Sequence, residues 1–429
     1  MKKYSSCFLF VFCILHFTFC ILQSCSSSRS VSIENLSNIY KREQSALHPQ
    51  FAIFHRTNTT SELHFKINSN ELLYTKQTGN DNFTARISIH YKLIASYETK
   101  EIIDSATVLV TDIFSENTIK NIIGKIDFGA TFTNVYLLEI NFSDLNRNTT
   151  VKHFINIDKT NHNGRQNYIL YSAETKTPLF INNIKKDERV IIKYRIPDVK
   201  LFVRYYHRDF PLPAPPFANS NMVSFEYNAD SLFTIQTNNA DTNGFVFRNE
   251  GFYHIQTDTN TREGITLFRF FDDFPNVKTP EELLQPLKFI TTRQEFDAMR
   301  AYKNPKIPVD SFWVNVGGSH DRARELIRKF YNRITNANQF FLSYTEGWKT
   351  DRGLIYIIYG PPNVVYKSSD SENWVYGEEN NFNSLTYTFL KVINPFTDND
   401  YRLERSPVYK TGWFNAVEMW RQGRVYADK

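Results

Sequence analysis

Cysteine is nearly absent from this chain. All four cysteines, Cys7, Cys13, Cys20 and Cys25, fall within the first 25 of 429 residues, so the rest can form neither a disulfide nor a cysteine metal site. Histidine thins out as well. After His254 only His320 remains, which excludes a His-based triad or a multi-histidine metal site in the C-terminal part. His320 beside Asp321 instead fits the first turn of a helix. No G-x-S-x-G elbow, H-E-x-x-H helix or P-loop occurs, and no cofactor or metal is expected. Charge of one sign is lacking too. The formal net charge is +5, or +3 once Lys2 and Lys3 are set aside, and the two signs are interspersed. A nucleic-acid partner is therefore not expected.

What is present begins at the N-terminus. Lys2 and Lys3 precede an apolar run from Phe8 to Leu22, shorter than the roughly 20 residues of a membrane span. Residues 1–24 read as a signal peptide. Its end, Leu22-Gln23-Ser24-Cys25, resembles the bacterial lipobox, which implies acylation of Cys25 (palmitate-type chains) and a firm membrane anchor. No Asp follows Cys25, which resembles lipoproteins sorted to the outer membrane. No acidic cluster resembling a Bacteroidota surface-export signal follows either, so the periplasmic face is expected. Residues 25–49, Ser-rich at the start, read as a flexible tether.

From about Phe51 the hydrophobic period becomes two. Ala85, Ile87, Ile89, Tyr91 and Leu93 alternate with Thr84, Arg86, Ser88, His90 and Lys92, the pattern of a half-buried strand. Leu63/Phe65/Ile67 and Tyr136/Leu138/Ile140/Phe142 repeat it. Residues 50–160 are therefore expected to form an antiparallel β-sandwich, and strand-like runs over 166–272 a second, sandwich-like domain. Pro211 to Pro216 forbid a central strand there.

After Phe274 the signals turn helical. Thr279-Pro280-Glu281-Glu282 and Thr292-Arg293-Gln294-Glu295 are capping boxes. Ala323, Leu326, Ile327, Phe330, Ile334, Ala337 and Phe341 recur at helical spacing over Ser319–Phe341. Strands are expected at Leu354–Tyr359, Trp374–Tyr376 and Leu385–Leu390, with a last helix over Trp413–Arg424. Residues 275–426 thus read as a helix-on-antiparallel-sheet, α+β domain, and the whole chain as β-rich and multidomain.

Within that domain stands Glu346-Gly-Trp-Lys-Thr-Asp-Arg-Gly353, then LIYIIYGPPNVV and Glu372-Asn-Trp-Val-Tyr376. With PLKFITTRQEF (286–296), DSFWV (310–314), YNRITNANQFF (331–341) and Trp420-Arg421, this resembles the GWxTD-domain family of Bacteroidota-type envelope lipoproteins, over about residues 200–426. The motif residues are Gly347, Trp348, Thr350, Asp351, Arg352, Gly353, Gly360, Pro361, Trp374 and Tyr376. Their chemistry permits two roles. The glycines allow close backbone approach, Trp348 offers area to bury, Thr350 and Asp351 can satisfy turn donors, and Arg352 can pair with a carboxylate. They form either a capped structural turn or a recognition groove. The expected function is a non-enzymatic binding or scaffold subunit of an envelope assembly, secretion or transport system, with an envelope protein as partner. The alternative is a periplasmic hydrolase acting on peptidoglycan or glycan through Glu346 and Asp351.

Overall fold

The computed structural model describes residues 30–76, 82–116, 119–218, 225–237, 244–379, 381 and 384–426. The expected signal peptide, residues 1–24, and Cys25 lie outside the described residues.

Period-two alternation yields sheets with one buried face, and the first unit is built that way. Strands β1 (Gln50–His55), β2 (Thr60–Asn68), β3 (Thr75–Lys76), β4 (Phe83–Ile94), β5 (Ile102–Ile113), β6 (Asn121–Gly129), β7 (Val135–Asp144) and β8 (Thr149–Asp158) form two sheets. One runs β1-β2-β6 and the other β3-β4-β7-β8, with β5 also paired to β4. Leu63, Phe65 and Ile67 from the first meet Ala85, Ile87, Ile89, Leu138 and Phe142 from the second in one core.

The second unit holds β9 (Tyr168–Ser172), β10 (Arg189–Tyr194), β11 (Lys200–Tyr206), β12 (Ser231–Gln236), β13 (Phe245–Val246), β14 (Gly251–Gln256) and β15 (Ile265–Arg269). Sheets β13-β10-β9 and β12-β11-β14-β15 enclose Tyr168, Val190, Ile192, Leu201, Val203, Ile255 and Leu267. A smaller cluster of Tyr206, Phe252 and Phe268 closes on Phe396 of the third unit.

The third unit places helices α1 (Pro280–Leu284), α2 (Arg293–Arg300), α3 (Lys306–Gly317), α4 (His320–Phe340), α5 (Asp351–Tyr359) and α6 (Tyr409–Arg421) with the antiparallel sheet β16 (Val364–Lys367), β17 (Ser371–Tyr376), β18 (Leu385–Lys391) and β19 (Tyr401–Leu403). Both capping boxes form. The architecture is the β-rich, multidomain one with an α+β end.

Two expectations are corrected. Leu354–Tyr359 is not a strand but most of α5. Every residue from Arg352 to Tyr359 is buried, so the run has no polar face to betray a helical period, and its isoleucines and tyrosines read as β. The ends decide the matter. Thr350 Oγ1 accepts the Gly353 amide at 3.0 Å as N-cap. The terminal carbonyls of Ile357 and Ile358 take Arg333 at 3.0 Å each, and Ile358 also takes Trp420 Nε1 at 3.0 Å. Such donors supply what a buried helix end needs. Gly360 then stops the helix at φ +83°, followed by Pro361.

The second correction concerns the tether. Residues 30–49 are no free leash: short 3-10 turns lay residues 31–40 as a strap across the third unit, and Leu47 enters the core of the first. Val31, Leu36 and Tyr40 enter the core of the third unit. The Leu36 amide donates to Val365 O at 2.8 Å, and Asn35 Oδ1 accepts the Val365 amide at 3.1 Å. Three apolar anchors spaced along a polar stretch suffice to order it.

Candidate functional site

The motif lies at the turn between α4 and α5. Trp348 is buried and meets Phe289 edge-on, with ring centroids 5.8 Å apart. Its backbone amide donates to Asn338 Oδ1 at 3.2 Å. The turn can sit this close to α4 only because Gly347 and Gly353 lack side chains. A Cβ on Gly347 would stand 2.0 Å from Ala337 O, and one on Gly353 would stand 2.1 Å from Gly347 O.

Asp351, at the first position of α5, faces Arg405 through both carboxylate oxygens, at 2.5 and 3.1 Å, and accepts the Leu403 amide at 2.8 Å. The carboxylate thus favours the helix N-terminus while clamping β19. Glu346 pairs instead with Lys349 at 3.0 Å and accepts the Thr345 hydroxyl at 3.1 Å. Each carboxylate has its own cation, and neither lines the cavities of about 950 and 590 Å³.

Arg352 points the other way, into the core. Its guanidinium lies 4.0 Å from the Tyr401 ring centroid and 5.0 Å from that of Phe341. It donates to Glu372 at 3.1 Å and to Asn399 O at 2.8 Å. Glu372 is fully buried and has four partners. They are Arg352, Lys367 at 2.7 Å, the Tyr40 hydroxyl at 2.8 Å and Trp374 Nε1 at 3.1 Å. Burial alone would raise the Glu372 carboxyl, but Lys367 and Arg352 prevail and hold it at about 2. Burial likewise opposes the Lys367 ammonium, yet Glu372 keeps it well above its ordinary value. A charged cluster inside a core persists only when so paired and hydrogen-bonded.

Trp374 and Tyr376 share the inward face of β17. Trp374 packs between Tyr40 and Phe389, at 5.2 and 4.7 Å, and the Tyr376 hydroxyl donates to Gly360 O at 2.9 Å. The structure therefore gathers Asp351, Arg352, Trp374 and Tyr376 around α5 but directs Asp351 and Arg352 to separate carboxylate–cation pairs. Sequence reasoning missed Tyr40, Lys367, Glu372 and Asn399. A signal existed for one of them. Glu372 stands two residues before Trp374 and four before Tyr376, so the strand period puts it on their inward face. Arg421, beyond the motif, grips Glu295 of the second capping box at 2.8 and 2.9 Å.

Among the described residues, no group of three or more His, Cys, Asp or Glu side chains is placed to hold a metal ion, and no helix is long and apolar enough to cross a membrane. No curated protein matches the chain, and no solved structure does. One family does match, and its span takes in the last two strands of the second unit together with the whole turn described above: residues 251–422 are a GWxTD domain.

Proposed function

We propose that this chain is a bacterial, Bacteroidota-type envelope lipoprotein, anchored in the outer membrane through acylated Cys25 and facing the periplasm. It acts there as a non-enzymatic binding or scaffold subunit of an envelope assembly, secretion or transport system. The observation that carries the reading is where the motif spends its charges. Asp351 on Arg405 and Arg352 on Glu372 are consumed in bracing a turn, which leaves Glu346 and Asp351 without the shared open cleft a pair of catalytic carboxyls needs. The strap adds to it. Residue 30 stands shortly after the lipid-bearing Cys25, and Val31, Leu36 and Tyr40 are buried in the core of the GWxTD domain, so the anchor and that domain are held together.

The test is mild cross-linking of the lipidated protein in its own membrane. One envelope protein should be recovered reproducibly, and intact mass should show acyl chains on Cys25. Recovery of no partner, with release of glycan fragments by the purified protein, would overturn the reading in favour of the hydrolase.

A further inference from the structure

A cavity of about 950 Å³ lies where the three units meet. That volume is within the range of ligand sites. The first sandwich supplies one wall as a row across its sheet. Gln50 on β1 stands directly opposite Lys66 on β2, which stands directly opposite Ile123 on β6. The second unit supplies Phe180 and a rim of mixed charge, in which Lys185 and Lys186 stand with Glu174, Asp187 and Glu188, so the cation that decides the cavity's preference is Lys66 on the wall. The GWxTD domain supplies Asn338, whose side chain also holds the Trp348 amide and donates to Pro275 O at 2.8 Å. The wall is thus one hydrogen bond away from the motif.

Two groups in this row are unspent. Gln50 Oε1 is buried with no hydrogen-bond partner. Lys66 Nζ lies 5.2 Å over the Phe180 ring, and no carboxylate among the described residues pairs with it. Burial pushes its ammonium below the ordinary value. A buried acceptor left unmet costs about 1–3 kcal/mol, and a half-desolvated cation without a counter-charge is also unfavourable. Both groups line the same cavity, so a single occupant would meet them together. It must bring an anion to Lys66, an N–H or O–H to Gln50 and apolar surface to Ile123 and Phe180.

We propose that this cavity binds an acidic, partly apolar peptide segment of a partner protein, with Lys66 as its counter-charge and Gln50 as the acceptor of one of its amides. A peptide carries all three features in one extended stretch: a side-chain carboxylate, backbone N–H groups and apolar neighbours. The inference rests on the binding reading above and names the chemistry of its partner.

The probe is a fluorescein-labelled peptide alternating Asp and Phe, compared with its counterpart carrying Asn for Asp, both titrated into the full chain. The acidic peptide should bind saturably and the amide one at least about tenfold more weakly, with affinity falling as salt rises. Lys66→Met should weaken the acidic peptide about tenfold. Gln50→Leu should weaken it too without lowering the melting temperature, because it deletes an orphaned oxygen, and this second variant guards against a Lys66 variant that folds poorly. Equal binding of the two peptides, no saturable binding of the acidic one, or indifference to both substitutions would overturn the proposal. The two readings fail separately. A cross-linked partner retained by Lys66→Met would sink this site and leave the binding reading standing. An acidic peptide bound at Lys66 with no partner recovered would do the reverse.

Discussion

The Tyr40 hydroxyl donates to the Glu372 carboxylate at 2.8 Å across 332 residues of chain, and both side chains are buried. The contact joins the N-terminal strap to the charged core of the GWxTD domain. Tyr40 also touches Phe340, Phe341 and Trp374, with ring centroids 5.2–5.4 Å away. Tyr40→Phe keeps the ring and strips one partner from a buried carboxylate, so it should cost about 1–3 kcal/mol. Tyr40→Ala also empties the aromatic cage and should cost about 3–5 kcal/mol. Urea unfolding of both variants checks this. Equal stability of all three proteins would mean that the strap is only laid on the surface.

Glu372 should tolerate substitution worst of all. Glu372→Gln keeps the shape but leaves Arg352 and Lys367 as two buried cations with no anion between them. Breaking a buried pair in this way should cost about 3–5 kcal/mol, read as a lowered urea midpoint.

Glu372 and His254 contribute to acid sensitivity in different pH windows. Glu372 is held at about 2 in the fold, below the unfolded value of about 4.3. Its contribution is complete above that unfolded value and is lost as the pH falls toward 2. His254 is pushed down to about 3 by burial, with Nδ1 on Thr266 Oγ1 and Nε2 on Arg262 O, both at 2.9 Å. It is buried neutral, so its contribution is complete above about 6.5 and fades as the pH falls toward 3. His254→Gln should therefore reduce the slope of the stability curve between about pH 6.5 and 3, the slope that remains coming in part from His55 and His153, which burial also lowers to about 4. An unchanged slope in the upper window would show that His254 does not resist protonation.

How much of this was legible depended on whether the governing contact was local. The alternation in Thr84–Leu93 placed five side chains inward, and all five are buried, because a strand period is written in neighbouring residues. Both capping boxes were readable for the same reason. Helix α5 was not. A fully buried segment carries no amphipathic period, and its end donors, Arg333 and Trp420, lie well outside it in sequence. The strap and its Tyr40 were misread because short polar turns look like a linker until the partner surface is known. Asp351 and Arg352 were recognised as able to pair, but which carboxylate and which cation they would meet depended on β17 and β19.

Gly347 and Gly353 are required for space, not for a left-handed backbone. Gly347→Ala would place its Cβ 2.0 Å from a backbone oxygen, which cannot yield as a flexible side chain would. The cost should reach or exceed the upper end of the ~1–3 kcal/mol seen for overpacking. Gly318→Ala is the contrast. Gly318 sits at φ +67° with nothing within 4 Å of a new Cβ, so only the backbone penalty of about 1–2 kcal/mol applies. Thermal melting of the two variants should rank them in that order, and the reverse order would refute the close-approach explanation.

The most direct test of the account is the melting temperature of Arg352→Ala. Arg352 is fully buried between Phe341 and Tyr401, on Glu372 and Asn399. If the motif braces the fold, removing it should cost about 3 kcal/mol or more and melt the protein well below wild type. An Arg352→Ala protein that melts with wild type but no longer captures the cross-linked partner would contradict the account and make GWKTDRG the recognition surface itself.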